Sequence, residues 1–200
     1  MSYTYGQQIW NLLMQDIKNE FGVAGLMGNL VAESNLEPNN LQNSYNTSLG
    51  LTDVDYTSGV DNGTYTNFVY DEAGYGLAQW TYYIRKQALY NYKISKGVSI
   101  ADVTMQVEFL ISELKSSYSD VYNSLISATN IRTPSNKVLH DFENPAIQNT
   151  TVEVYRESLG IEIYNLYSGS QITPNTPIRA NIKKKNFKFI LFNNRRRRIW

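Results

Sequence analysis

Hydrophobic spacing divides residues 5–167 into helical stretches on either side of one polar region. Ile9, Trp10, Leu13, Met14 and Ile17 recur at helical intervals, which predicts an amphipathic helix over residues 5–20 that stops at Gly22. The next stretch, residues 21–34, is apolar along most of its length. Successive helical residues turn by about 100°, so Val23, Leu26 and Leu30 share one stripe, with Glu33 at its edge. Gly25, Gly28 and Ala32 form a second stripe with almost no side-chain volume. Glycine lowers helix propensity by about 1 kcal/mol relative to alanine, so such a stripe predicts the close approach of another backbone. The first two helices are expected to pack as a hairpin through it.

From Glu37 to Tyr70 the helical period fails, and Asn, Ser, Thr, Gly and Tyr dominate. Thr64 to Tyr70 alternates loosely and Asp71 to Gly76 supplies turn residues, which predicts a small β-hairpin region. Helical spacing then returns. Thr81 can cap a helix ending near Ser95 and Gly97, and Ser99 with Asp102 resembles a capping box opening the next. Shorter helices follow over residues 120–128 and after Thr133-Pro134, and a longer one spans residues 151–167 with Gly169 beyond its end. Together these predict a mostly helical α+β domain over residues 1–169, with a linker and tail over 170–200.

Composition narrows the chemistry. The chain has no cysteine, so a disulfide frame, a thiolate nucleophile and a thiolate zinc site are excluded. His140 is the single histidine; a Ser-His-Asp triad has to use it, and a multi-histidine metal site is excluded. Neither a cofactor nor a metal is called for: Asp53, Asp55 and Asp61 lack the spacing and closing Glu of a calcium loop. The acid–base chemistry left is that of carboxylates.

Glu33 is the carboxylate in the most unusual place. Pro38 and the polar residues before it end the helix near Ser34 or Asn35, so Glu33 meets the negative end of the helix dipole among apolar neighbours. Both effects favour its protonated form, which a general acid needs. The other reading is a solvated glutamate at a frayed helix end. A second motif bears on this choice: Asp71-Glu72-Ala73-Gly74-Tyr75-Gly76-Leu77-Ala78-Gln79-Trp80-Thr81 combines acids, glycines, a glutamine and aromatics.

Taken with Gly28-Asn29-Leu30-Val31-Ala32-Glu33-Ser34 and Glu37-Pro38, this motif resembles the phage tail lysozyme family, which is related to goose-type lysozymes and lytic transglycosylases. The resemblance covers about residues 5–168 and extends more weakly to Phe142-Glu143-Asn144-Pro145 and Arg156. It implies a lysozyme-like fold with Glu33 as catalytic acid and with Gly76, Gln79 and Trp80 bordering a sugar cleft. The implied reaction is cleavage of the β-1,4 bond between N-acetylmuramic acid and N-acetylglucosamine in peptidoglycan. Asp71 and Glu72 are the candidates for a second carboxylate, with Asp55 and Asp61 in reserve. Gln79 is expected to bind an acetamido group or orient water, Tyr75 and Trp80 to stack on sugars, and Asn29 to hydrogen-bond Glu33. Glu143 and Arg156 are expected to form a structural ion pair. A lytic transglycosylase and a non-catalytic tail or wall-binding protein remain as alternatives.

Met1-Ser-Tyr-Thr-Tyr lacks the basic start of a signal peptide, so a wall-acting role implies a virion tail, or holin-dependent release of an endolysin. Other virion tail proteins are then expected partners, besides the glycan strands of peptidoglycan.

Charge separates body from tail. Residues 1–170 hold all 18 acids and 9 of the 18 Lys and Arg, a net charge of −9; residues 171–200 hold the other 9 bases and no acid, a net charge of +9. After Pro174 and Pro177 come Lys183–Lys185, an apolar run and Arg195–Arg198, a pattern suited to anionic wall polymers or membrane headgroups. Nucleic-acid contact, or a simple solubility tail, fits the same composition. Deleting residues 171–200 is expected to weaken adsorption to anionic walls more at low salt than at high salt, measured by co-sedimentation. Equal adsorption at every salt concentration removes the electrostatic role.

Overall fold

The computed structural model describes residues 3–172; the two linker prolines and the basic clusters of the tail fall outside the described residues. Nine α-helices appear among the described residues: α1 Gly6–Ile17, α2 Glu20–Ser34, α3 Asn43–Leu49, α4 Asp53–Asn62, α5 Tyr83–Lys96, α6 Val103–Ser116, α7 Ser119–Ile126, α8 Arg132–Lys137 and α9 Thr150–Tyr167. A π-helical stretch, Val138–Glu143, continues α8. No helix among the described residues is long and apolar enough to cross a membrane. The chain divides into two compact units. One comprises the chain up to Leu12 with Glu33–Glu113, and the other Leu13–Ala32 with the chain from Leu114 onward.

In the first unit the β-hairpin expected over residues 64–76 is not confirmed: turns and isolated bridges stand there, and part of the polar stretch before it is helical. Residues 43–62 form α3 and α4, and the β features among the described residues are isolated bridges, Leu41 to Tyr75 and Tyr75 to Trp80. Local hydrogen bonds account for the difference. The Thr52 hydroxyl accepts from the Asp55 N–H at 3.1 Å, and the Asp55 carboxylate accepts from the Thr52 N–H at 3.4 Å, a reciprocal cap that opens α4. Gly50 and Gly63, both left-handed, close α3 and α4. The rings of Tyr56, Phe68 and Tyr75 pack together, and all three are buried. Two expected caps also shift. The Thr81 hydroxyl donates to the Gln79 carbonyl, and α5 begins after Tyr82. Asp102, rather than Ser99, caps α6 by accepting from the Met105 N–H at 2.8 Å.

In the second unit, Lys18 takes a left-handed φ of 53° and ends α1, and Asn19 accepts from the Gly22 N–H at 3.0 Å. Gly22 therefore lies inside α2 and does not stop α1. The small stripe of α2 does meet backbone, but that of α8 and α9 rather than α1. A Cβ on Gly28 would lie 2.5 Å from the Gly160 nitrogen and 2.7 Å from the Arg156 carbonyl oxygen. One on Gly25 would lie 3.1 Å from the Ile131 carbonyl oxygen. The approach is reciprocal, since a Cβ on Gly160 would meet the Ala24 carbonyl oxygen at 3.0 Å. Beside this contact the fully buried Arg156 donates to Asn29 Oδ1 at 3.0 Å.

His140 sits in the π-helical stretch between Gln148 and Glu153, 2.8 and 2.9 Å from its two ring nitrogens. The bond to Gln148, followed by that to Glu153, raises its affinity for a proton above the ordinary histidine value. After α9, Gly169 turns the chain, and Ile172 exchanges two hydrogen bonds with the Asn165 side chain.

Gly28→Ala is expected to destabilise the protein by about 1–3 kcal/mol, because two backbones must part to admit one methyl group. Urea unfolding monitored by circular dichroism measures the loss. An unchanged midpoint contradicts the close approach.

Candidate active site

Glu33 lies in the last turn of α2 and is 6% exposed. The next residue, Ser34, is also buried, and its hydroxyl donates to the Leu77 carbonyl at 2.9 Å. That bond joins the end of the acid-bearing helix to the Gly76-Leu77-Ala78-Gln79 turn. The helix stops because Asn35 and Leu36 both adopt left-handed backbones, with φ of 57° and 61°. A left-handed leucine is uncommon and strained. Here Leu36 is wholly buried, so core packing holds it.

The loop that follows is fastened to the turn along its length. The Gln42 N–H donates to the Gly74 carbonyl at 2.8 Å, and the Gly76 N–H to the Asn40 carbonyl at 2.9 Å. Side-chain amides complete the pairing. Gln42 Oε1 accepts from the Gly74 N–H at 3.0 Å. Gln79 Nε2 donates to the Asn40 carbonyl at 2.9 Å and to the Gly76 carbonyl at 3.1 Å. Gln106 reaches in from α6: its Oε1 accepts from the Leu77 N–H at 2.9 Å, and its Nε2 donates to the Pro38 and Ile100 carbonyls, both at 2.7 Å. These bonds meet the requirement that buried backbone groups be paired, in a stretch with too little regular structure to pair them itself.

The other sequence-predicted site residues occupy varied places. Gln79 is buried, with φ of 46°, and its amide nitrogen is committed to the loop. Gly76 is left-handed with φ of 73°, and a Cβ there would lie 2.6 Å from Gln106 Oε1; it makes room for the amide clasp. Tyr75 and Trp80 are fully buried, which corrects the expectation that they stack on sugars. Core packing has taken both rings. The Tyr75 hydroxyl lies 2.6 Å from the Thr57 hydroxyl, and Trp80 Nε1 donates to Glu113 at 2.7 Å.

Asp71 is held on both oxygens. Oδ2 accepts from the hydroxyls of Tyr56 at 2.5 Å and Tyr65 at 2.9 Å. Oδ1 accepts from the Ala73 N–H and forms a short ion pair with Lys86 Nζ, whose side chain has no exposure. The Lys86 ammonium also donates to the Ala73 carbonyl at 2.8 Å and lies 4.5 Å from the centre of the Phe68 ring. Burial pulls its proton affinity below the ordinary lysine value, and Asp71 opposes that shift. Burial, reinforced by Asp71, pushes the Tyr56 phenol far above the ordinary range, so it remains a donor. An aspartate engaged in this way fixes structure.

Glu72, beside it, is exposed at a left-handed φ of 59°. The Asn29 side chain bonds Gly25, Ser135 and Arg156 rather than Glu33. Asp53 accepts from the Asn46 side chain and Asp55 caps the start of α4, whereas Asp61 accepts from Ser99 and from the Ile100 N–H. The left-handed non-glycine residues cluster at the site. Six occur among the described residues, and Asn35, Leu36, Glu72 and Gln79 are four of them. Strained backbone of this kind concentrates at functional sites. A concavity of about 470 Å³ is lined by Asn46, Thr47 and Gly50–Asp53; neither Glu33 nor Gln79 lines it.

Asp71→Asn is expected to cost about 3–5 kcal/mol, since it leaves the buried Lys86 charge uncompensated. The double change Asp71→Asn with Lys86→Met is expected to cost less than the two single changes added together. A double-mutant cycle in urea checks this, and strict additivity contradicts the coupling.

Comparison with known proteins adds the family. The profile described as phage tail lysozyme matches residues 5–167. Neither the curated proteins nor the solved structures contain a significant match. The match spans both compact units and includes the acid-bearing helix end, the loop and the glutamine turn, so the chain belongs to the phage tail lysozyme family.

Proposed function

We propose that the protein is a peptidoglycan glycosidase that cleaves the β-1,4 bond after N-acetylmuramic acid, with Glu33 as general acid. The observation that carries this reading is the Ser34–Leu77 hydrogen bond, which ties the buried, carboxylate-bearing end of α2 to the glutamine turn. Family membership supports a lysozyme-like function acting on the wall from a phage tail. In the reaction the protonated Glu33 gives its proton to the glycosidic oxygen. The C1–O bond breaks with its electron pair passing to that oxygen, and an oxocarbenium-like transition state develops at C1. Gln79 and Gly76 act by holding the turn rather than by touching sugar.

In the hydrolytic route a water adds to C1 and a second carboxylate takes its proton. Asp71 is committed to Lys86 and two tyrosines, which leaves the exposed Glu72 as the better candidate of the two. The same commitment favours a second reading, a lytic transglycosylase. There the C6 hydroxyl of the muramic residue adds to C1, and its proton returns to the Glu33 carboxylate, closing an anhydro ring. One carboxylate then serves as acid and base in turn.

Glu33→Gln is expected to lower the rate of wall clearing by at least about 10²–10⁴-fold, with wall binding and thermal stability retained. Turbidity of purified Gram-positive walls reads the rate, and mass spectrometry of the products separates the routes. Reducing muramic ends mean hydrolysis, and anhydro ends mean transglycosylation. If the wild-type protein binds walls and clears none, it is a binding protein.

A further inference from the structure

In the first unit Trp10, Tyr56, Phe68, Tyr75, Trp80 and Phe109 are buried, yet three tyrosines lie outside and in contact. Tyr70, Tyr82 and Tyr83 are 68%, 51% and 48% exposed. Tyr70 and Tyr83 are stacked at 6.3 Å between ring centres with 26° between planes, and Tyr82 meets Tyr83 edge-on at 4.8 Å. The cluster is built from two separate segments. Tyr70 ends a turn closed by its N–H on the Asn67 carbonyl, whereas Tyr82 and Tyr83 open α5.

The buried ion pair fixes the two segments to each other. Asp71 directly follows Tyr70, and Lys86 lies one helical turn beyond Tyr82, whose carbonyl accepts the Lys86 N–H at 3.0 Å. The rings are therefore presented on a rigid base, and tyrosine has only two side-chain torsions to immobilise. Both segments adjoin the candidate site in the chain. Glu72 lies two residues after Tyr70, and Gln79-Trp80-Thr81 leads directly into Tyr82.

We infer that Tyr70, Tyr82 and Tyr83 form a carbohydrate platform that holds an extended β-1,4-linked N-acetylhexosamine strand beyond the bond being cleaved. The inference rests on the glycosidase reading above. A pyranose ring in such a strand presents a face of axial C–H groups, and this face packs on the flat apolar face of a tyrosine. The phenol hydroxyls at the rim suit sugar hydroxyls and acetamido groups. An aliphatic docking face would lack both the planar rings and those polar tips. The platform also supplies the exposed aromatic surface that Tyr75 and Trp80, both buried, do not.

The test uses the full chain carrying Glu33→Gln, so that the ligand survives, with and without Tyr82→Ala and Tyr83→Ala. Calorimetry with N-acetylglucosamine dimer and hexamer reads affinity against length. The expected result is a hexamer affinity lowered about tenfold by the tyrosine changes, with dimer affinity and melting temperature unchanged. A hexamer affinity that is equal in the two proteins, or undetectable in the parent, overturns the platform. So does a change confined to oligomeric state in sedimentation, which would mark the patch as a self-association face. The two readings fail separately. Wild-type protein that clears no wall but shows tyrosine-dependent hexamer binding loses the enzyme and keeps the platform. Protein that clears walls without that dependence loses the platform alone.

Discussion

A buried peptide group must find a partner, and residues 35–42 and 63–80 have neither helix nor strand to supply one. The chain solves this with side-chain amides. Gln42, Gln79 and Gln106, with the Ser34 hydroxyl, satisfy backbone groups on Pro38, Asn40, Gly74, Gly76 and Leu77. Together they do what a small sheet would do, and they need only two isolated bridges of backbone pairing beside them. The position of the Glu33 end of α2 relative to the glutamine turn follows from that set of bonds.

Each unit carries one further constraint. In the first, the Asp71–Lys86 pair and its two tyrosines anchor the segment entering the turn to α4 and α5. An ion pair this deeply buried is weak evidence of stability as such, because desolvation offsets most of its attraction. It does specify geometry, since either partner alone is costly. In the second unit, glycines at 25, 28 and 160 let helices approach to backbone contact.

Much of this was legible in the sequence, and the losses have identifiable causes. The helix ending at Ser34, its small stripe and the two site motifs follow from spacing and from left-handed or breaking residues. The partner of the small stripe was misassigned, because sequence proximity favours α1 whereas Gly160 is more than 130 residues away in the chain. In the polar stretch from Glu37 to Tyr70, Asn, Ser, Thr and Gly conceal the short helices α3 and α4, and the loose alternation of residues 64–70 gives turns and isolated bridges rather than a paired hairpin. The Thr52-x-x-Asp55 cap nonetheless has the same spacing as Ser99-x-x-Asp102. Asp71 carried no local sign of its pairing with Lys86, which reads as one more helix-surface lysine. Tyr75 and Trp80 were assigned to sugar because aromatics near a site invite that reading. The core had first claim on them, and the exposed rings are those of Tyr70, Tyr82 and Tyr83.

The amide clasp has a consequence for where such a protein can work. Glutamine side chains neither gain nor lose protons over the range in which carboxylates and histidine do, and they attract no counterions. A bacterial wall is a dense polyelectrolyte whose local acidity and ion content differ from those of bulk water. A loop closed by neutral groups keeps its shape across that boundary, whatever the environment does to the charged groups elsewhere in the protein.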